Sequence, residues 1–309
     1  MQEVREKTPE VNKIPWSKSV WFFDIDDTII DTAGTSGTAS DGIKKVFEAR
    51  FTSEQALQVQ TNFNQLFDLM LSGYRVKAEE DWQNVPGGKS AFDNLVEKIE
   101  TSQKRVKEKY GGVKKWSREV FIKLAADQAG VRVAPELVHE AADAYWLTLT
   151  EQTTVFPQVL DLIQEIQKHN RPIYLITSSD ARLKMDSDGQ FDYDPTYSEG
   201  LKRERIELLR EKGVTFNAVS IGDPEDKPHM DFFQKGVKKA EEDLGHPIDL
   251  SNSLMFGDSF GGDLQVPKEQ LGFGLVVLFQ KGNEKTEIVD NRQIDTGDVS
   301  SVLQYMDVA

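Results

Sequence analysis

Apolar positions along this chain follow two rhythms. Short continuous runs stand at 20–25 (VWFFDI), 172–177 (PIYLIT), 218–222 (AVSIG), 253–258 (SLMFGD) and 274–279 (GLVVLF). Each ends near Gly, Asp, Ser or Thr, which predicts strands buried on both faces of a parallel sheet. Between the later runs the period changes to that of a helix. Val159, Leu160, Leu162, Ile163 and Ile166 share one face behind Pro157, a residue suited to a first helical turn. Phe233, Val237, Ala240 and Leu244 repeat the pattern, which Gly245 and Pro247 stop. Strands alternating with helices predict an α/β fold with an open, doubly wound parallel sheet.

The stretch 34–149 breaks this alternation and shows no convincing strand. Phe63, Leu66, Phe67 and Met70 form a helical stripe between Ser53, a candidate N-cap, and Gly73. A long helix carrying Phe92, Leu95, Val96 and Ile99 gives way at Gly111-Gly112. Two more stripes follow, with Val120, Phe121 and Leu124, and with Leu137, Ala141, Ala144 and Tyr145. The expected organisation is therefore a sheet domain from 17–33 and 150–309, an all-helical domain over 34–149 and an extension over 1–16. The Gly/Ser/Thr-rich stretch 31–42 (DTAGTSGTASDG) reads as a loop-like joint suited to a hinge. The Asp-rich stretch 186–200 (DSDGQFDYDPTYSEG) reads as an exposed hairpin or loop, with a lip over the site as a second reading. The basic stretch 104–116 reads as a solvated helix face, with attraction of a phosphorylated substrate as a second reading. Trp82, Trp116, Tyr145 and Trp146 read as helical-domain core, and Arg75 and Lys77 carry no assignable role.

Composition narrows the function classes. A chain of 309 residues can bury two cores. A net charge of −15 and a pI near 4.8 argue against nucleic acid and anionic membranes as main partners. The chain holds no cysteine, which excludes disulfides, thiolate zinc sites, iron–sulfur clusters and cysteine nucleophiles. His139, His169, His229 and His246 form no pair at metal-ligand spacing. Residues 1–19 lack an apolar leader core, and no apolar run is long enough to span a bilayer, so a cytoplasmic location is expected.

In open α/β sheets, ligands bind at the carboxyl ends of the strands. The sequence puts Asp24, Asp26, Asp27 and Thr28 after the first strand, and Thr177, Ser178 and Ser179 after the second. Lys227 lies in the loop beyond the third, and Asp258, Ser259 and Asp263 follow the fourth. Three carboxylates crowded at one strand end are tolerable if a hard divalent cation neutralises them. Mg²⁺ uses one or two carboxylates together with other oxygens. Asp24 and Asp258 are the candidate side-chain ligands, with the backbone carbonyl of Asp26 as a third. Asp24 and Asp26 alternate along a strand, so both side chains leave on one side. One can attack while the other handles protons.

These segments resemble the haloacid dehalogenase (HAD) superfamily of phosphohydrolases. FFDIDDT is similar to its first motif, IYLITSS to its second, the lysine of DKPHMDFF to its third and MFGDSFGGDL to its fourth. The resemblance covers about 17–33 and 150–309, and the helical insertion sits where the family places its first-type cap. It implies a Rossmann-like core and a set of roles. Asp24 would be the nucleophile that forms an aspartyl-phosphate, and Asp26 the general acid and base. Thr177 and Ser178 would bind the phosphoryl group, and Lys227 would pair with nucleophile and phosphate. Asp258 would bind Mg²⁺, and Asp263 would support the metal shell or Lys227. Asp27 stands where many members carry Gly, and the run from Thr177 to Lys227 is longer than expected. The implied activity is Mg²⁺-dependent hydrolysis of a small phosphorylated metabolite under a closing cap. A sugar phosphomutase, a dehalogenase and a non-catalytic binder are the alternatives.

Overall fold

The computed structural model describes residues 10–76 and 78–307, so Lys77 and residues 1–9 of the extension lie outside the described residues. The strands in chain order are β1 (Ile14–Pro15), β2 (Val20–Phe23), β3 (Ile173–Ser178), β4 (Leu183–Met185), β5 (Phe191–Tyr193) and β6 (Ala218–Gly222). They continue with β7 (Ser253–Gly257), β8 (Leu275–Phe279), β9 (Glu287–Asp290), β10 (Gln293–Thr296) and β11 (Met306–Asp307). The main helices are α1 (Thr32–Glu48), α2 (Ser53–Tyr74), α3 (Gly88–Ser102), α4 (Lys104–Tyr110), α5 (Arg118–Gln128), α6 (Pro135–Gln152), α7 (Pro157–Lys168), α8 (Pro195–Glu211) and α9 (Met230–Leu244).

The chain divides into two compact units. Among the described residues, 10–33, Thr154–Ser178 and 203–307 form the first; Gly34–Thr153 and Ser179–Lys202 form the second.

The first unit is built on a seven-stranded sheet in the order β6-β3-β2-β7-β8-β10-β9. All neighbours pair in parallel except β9, which is antiparallel to β10. Continuous apolar runs suit the central strands because each must bury both faces. Trp21 and Phe23 enter one core with Leu175, Phe256 and Val277, beneath α7. Val20 and Phe22 enter the other with Tyr174, Ile176 and Met255, beneath α9. This is the period-two alternation of a strand written entirely in apolar residues. The outer pair β9 and β10 escaped the sequence reading because polar residues interrupt both: β9 is an edge strand bounded by Glu287 and Asp290, and β10 carries one aliphatic residue, Ile294, among Gln293, Asp295 and Thr296.

The second unit packs α1 to α6 around Phe47, Phe63, Phe121, Tyr145 and Leu149. Three details differ from expectation. The cap of α2 is Thr52, not Ser53: Thr52 Oγ1 accepts from Gln55 N at 3.2 Å and Gln55 Oε1 accepts from Thr52 N at 3.2 Å. The stretch 31–42 is no loop but the first turns of α1. Its small residues serve close packing, since a Cβ on Gly42 would lie 2.4 Å from the carbonyl oxygen of Ala144. Ser179–Lys202, which the sequence reading groups with the sheet domain, packs with the helices instead.

The physical reason for that last difference is alternation. The β4–β5 hairpin buries Leu183, Met185, Phe191 and Tyr193 in the helical core and points Lys184 and Asp192 outward. The Asp-rich stretch is therefore part hairpin and part helix. Asp186 accepts the turn N–H groups of Asp188 and Gln190 at 2.9 and 3.1 Å. Asp194 caps α8 through Thr196 N and Tyr197 N at 3.1 and 3.2 Å. Arg105, from the basic stretch, pairs with Asp186 and Asp192.

Candidate active site

Strand β2 delivers Asp24 directly: its N–H donates to Phe256 O at 2.9 Å, continuing the ladder with β7. The chain then turns sharply. Ile25 O accepts from Thr28, Ile29 and Ile30 N–H groups at 3.3, 2.9 and 3.1 Å. Asp27 takes a φ of +60° in this turn, a left-handed conformation that Gly, Asn and Asp tolerate best. Gly and Asp are both suited to such a backbone. Asp27 Oδ1 also accepts from Ala33 N at 2.7 Å at the start of α1, which places Asp27 in turn and helix-end bonding.

Asp24 is almost fully buried. The Lys227 ammonium donates to Asp24 Oδ1 and, at 2.7 Å, to Asp263 Oδ1. The other oxygen of Asp263 accepts from Ser259 N at 2.9 Å. Gly257 makes this approach possible, because a Cβ there would lie 2.3 Å from the Cβ of Asp263. Carboxylate oxygens of Asp24, Asp258 and Asp263 all lie within 4.8 Å of one another. Two carboxylates thus share one lysine, with a third close beside them.

The electrostatics follow from that ratio. Burial pushes the Asp24 carboxyl up to about 7; Lys227 opposes this, while Asp263 and Asp26 add to it. Asp258 is pushed up to about 8 by loss of solvation, then by Asp24, Asp263 and Asp27. Burial pulls the Lys227 ammonium down, but Asp24 and Asp263 outweigh that and hold it protonated. Without a cation, then, the Asp24 and Asp258 carboxyls resist ionisation up to near-neutral pH. An all-oxygen donor set that binds protons this tightly fits a hard divalent ion, which would displace them. Asp263, with both oxygens already engaged, orients Lys227 and the β7 loop.

Asp26 stands beside the cluster in a different setting. Thr32 Oγ1 donates to its Oδ1 at 2.8 Å. Arg205 lies against both oxygens, its guanidinium nitrogen 3.3 Å from Oδ1 and 3.4 Å from Oδ2. Sequence reasoning missed Arg205, which sits in the charged run KRERIELLREKG and reads as a solvated helix face. The available signal was its spacing: it precedes Ile206 and lies four residues before Leu209, both buried in the sheet core. Thr177 is fully buried two residues past Leu175, the partner of Phe23, and its hydroxyl reaches Ser178 O at 3.4 Å. Ser178 ends β3, paired in register with Gly222.

This arrangement agrees with what the sequence profile of the haloacid dehalogenase-like hydrolases finds, which is a match over residues 19–269. The chain belongs to that family. It is a HAD-like hydrolase with an α/β core and a helical insertion. A search of curated proteins gives no match. Solved structures of the same fold include the magnesium-bound HAD-type hydrolase YfnB from Bacillus subtilis. It is 14% identical with a TM-score of 0.50, and the match covers 93% of this chain and 97% of that one. A 2-haloacid dehalogenase from Pseudomonas syringae pv. Tomato DC3000 is 16% identical with a TM-score of 0.52, over 93% and 97% of the two chains. At such identities the likeness is one of fold. Among the described residues, no helix is long and apolar enough to cross a membrane.

Proposed function

We propose that this HAD-like hydrolase is a Mg²⁺-dependent phosphatase that hydrolyses a small phosphorylated metabolite in the cytoplasm. The observation that carries the reading is the pair of differently equipped carboxylates, Asp24 in the lysine-paired cluster and Asp26 outside it. Displacement of a halide needs a nucleophile but no acid for the leaving group, so Asp26 favours phosphoryl transfer over dehalogenation. Retention of Asp24, Asp26, Lys227 and Asp258 together argues against a non-catalytic binder.

In this reading, a carboxylate oxygen of Asp24 attacks phosphorus and the ester oxygen leaves, giving an aspartyl-phosphate. Asp26 donates a proton to the leaving oxygen and then takes one from the water that attacks the phosphoenzyme. Lys227 keeps positive charge beside the nucleophile as negative charge builds on the phosphoryl oxygens, and Thr177 and Ser178 hydrogen-bond that group. Bound Mg²⁺, held by Asp24, Asp258 and the Asp26 carbonyl with Asp263 in support, would supply further positive charge for the phosphoryl oxygens. The helical unit is assigned the part of a cap, selecting small substrates and excluding bulk water.

A panel of phosphorylated metabolites, assayed with Mg²⁺ for phosphate release, tests the proposal. Phosphate release from a sugar phosphate or similar monoester is the expected result. Isomer formation without release would mean a phosphomutase, and halide release from a 2-haloacid with no phosphate release would mean a dehalogenase.

A further inference from the structure

Asp26 must do two jobs at one oxygen pair, and its orientation matters to both. The hydrogen bond from Thr32 fixes Oδ1 only. One guanidinium nitrogen of Arg205 lies against both oxygens, at 3.3 and 3.4 Å, and so bridges the carboxylate where Thr32 holds one end alone. Arg205 is itself held. Its side chain is 9% exposed, whereas that of Asp26 is 31% exposed. The fixed partner is thus the arginine and the open one the carboxylate. Ile206 and Leu209 seat this part of α8 in the sheet core. One turn further on, Arg210 stacks 3.7 Å from the ring of Phe216 and donates to Phe216 O at 3.1 Å. The helix is therefore anchored on the C-terminal side of Arg205 by packing that involves no site residue.

We propose that Arg205 is a positioning residue, which orients the Asp26 carboxylate for proton transfer to and from the ester oxygen. This rests on the phosphatase reading. Arginine is suited to the task because its planar, pre-organised guanidinium holds that one nitrogen in a fixed direction, which a flexible lysine ammonium does less well. A displacement of about 1 Å in an acid–base group costs up to about 10²-fold in rate, so loss of the guanidinium should register in kcat.

The experiment compares wild type with Arg205→Met and Arg205→Lys in single-turnover phosphoenzyme formation, using an alkyl phosphate and an aryl phosphate with an acidic phenol. The alkoxide needs a proton to leave and the phenolate does not. We expect Arg205→Met to slow the alkyl ester by about 10–100-fold, the aryl ester by less than about 3-fold, and to leave KM within about 3-fold. Arg205→Lys should recover part of the alkyl-ester rate. Equal losses on both esters would make Arg205 merely structural. A loss confined to KM would make it a contact to the substrate's anion. Either result overturns the proposal. Should the Met variant fail to fold, Arg205→Gln takes its place with the same outcomes. Phosphate release by the wild type with no ester-selective loss in the variants overturns this inference alone, whereas no release from any ester by the wild type removes the phosphatase reading with it.

Discussion

Two clusters of charged side chains in this protein are built on opposite plans. In the helical unit, Arg182 Nε donates to Glu119 Oε1 at 2.5 Å, with side chains 3% and 0% exposed, and its NH2 group reaches Asp143. Nearby in sequence, Lys202 meets Asp180 at 2.9 Å, again with both side chains buried. Both of these buried cations have a carboxylate at contact distance. In the sheet unit, Asp24 and Asp263 share the ammonium of Lys227, Asp258 stands close to both carboxylates, and Asp26 and Asp27 add to the negative field. The first group is neutralised from within and holds the hairpin to the helices. The second is left short of positive charge, which is tolerable only with protons or a cation. Burial alone does not mark a functional site; the charge that the protein leaves unbalanced does.

Substitutions in the two groups should therefore fail in different ways. The largest effect is expected at Asp24. Asp24→Asn should fold normally, since it removes a buried carboxyl that already resists ionisation, yet lose the proposed phosphatase activity by about 10⁴-fold or more. Steady-state turnover and a melting curve measure both halves. A variant that melts far below wild type would place Asp24 with the structural charges.

In the helical unit, Glu119→Gln should instead attack stability. It leaves the Arg182 guanidinium buried with only the half-exposed Asp143 as a charged partner, a loss of about 3–5 kcal/mol for such pairs. Urea unfolding measures it. A small effect would mean that Asp143 and water suffice, and that the two groups differ less than stated.

The smallest effect is a pH dependence. Asp258 has an ordinary value of 3.8 and is raised to about 8 in the folded, metal-free protein. A group whose folded pKa is raised contributes stability that is fully present below 3.8 and lost as pH rises through about 8. Asp258→Asn lacks that loss. Its melting temperature without metal, relative to wild type, should therefore rise between pH 5 and pH 9, on the order of these pKa values. A difference that stays flat with pH would contradict the crowding of carboxylates inferred for this site.

The sequence made some of this legible for clear reasons. Central strands read well because burial on both faces leaves an unbroken apolar run, as in VWFF and LVVLF. The convergence of Asp24, Lys227, Asp258 and Asp263 was visible because parallel strands present their carboxyl ends at one edge. What escaped depends on tertiary context. Small residues such as Gly42 read as a loop until the close approach of Ala144 gives them a reason to be helical. The hairpin at 183–193 has strands of three residues each, too short for alternation to stand out from an Asp-rich background. Arg205 is indistinguishable by composition from its neighbours Arg203 and Arg210. Only the fold turns it toward Asp26.

The central claim, that the unbalanced carboxylates form a Mg²⁺ site, is tested most directly by calorimetric titration of the purified protein with Mg²⁺ across pH. One ion per chain should bind, with release of protons, and the apparent affinity should weaken as pH falls below about 8 and Asp258, then Asp24, take up protons. Asp258→Asn should abolish most of that binding. Affinity that does not change with pH, or that survives Asp258→Asn, would contradict the account.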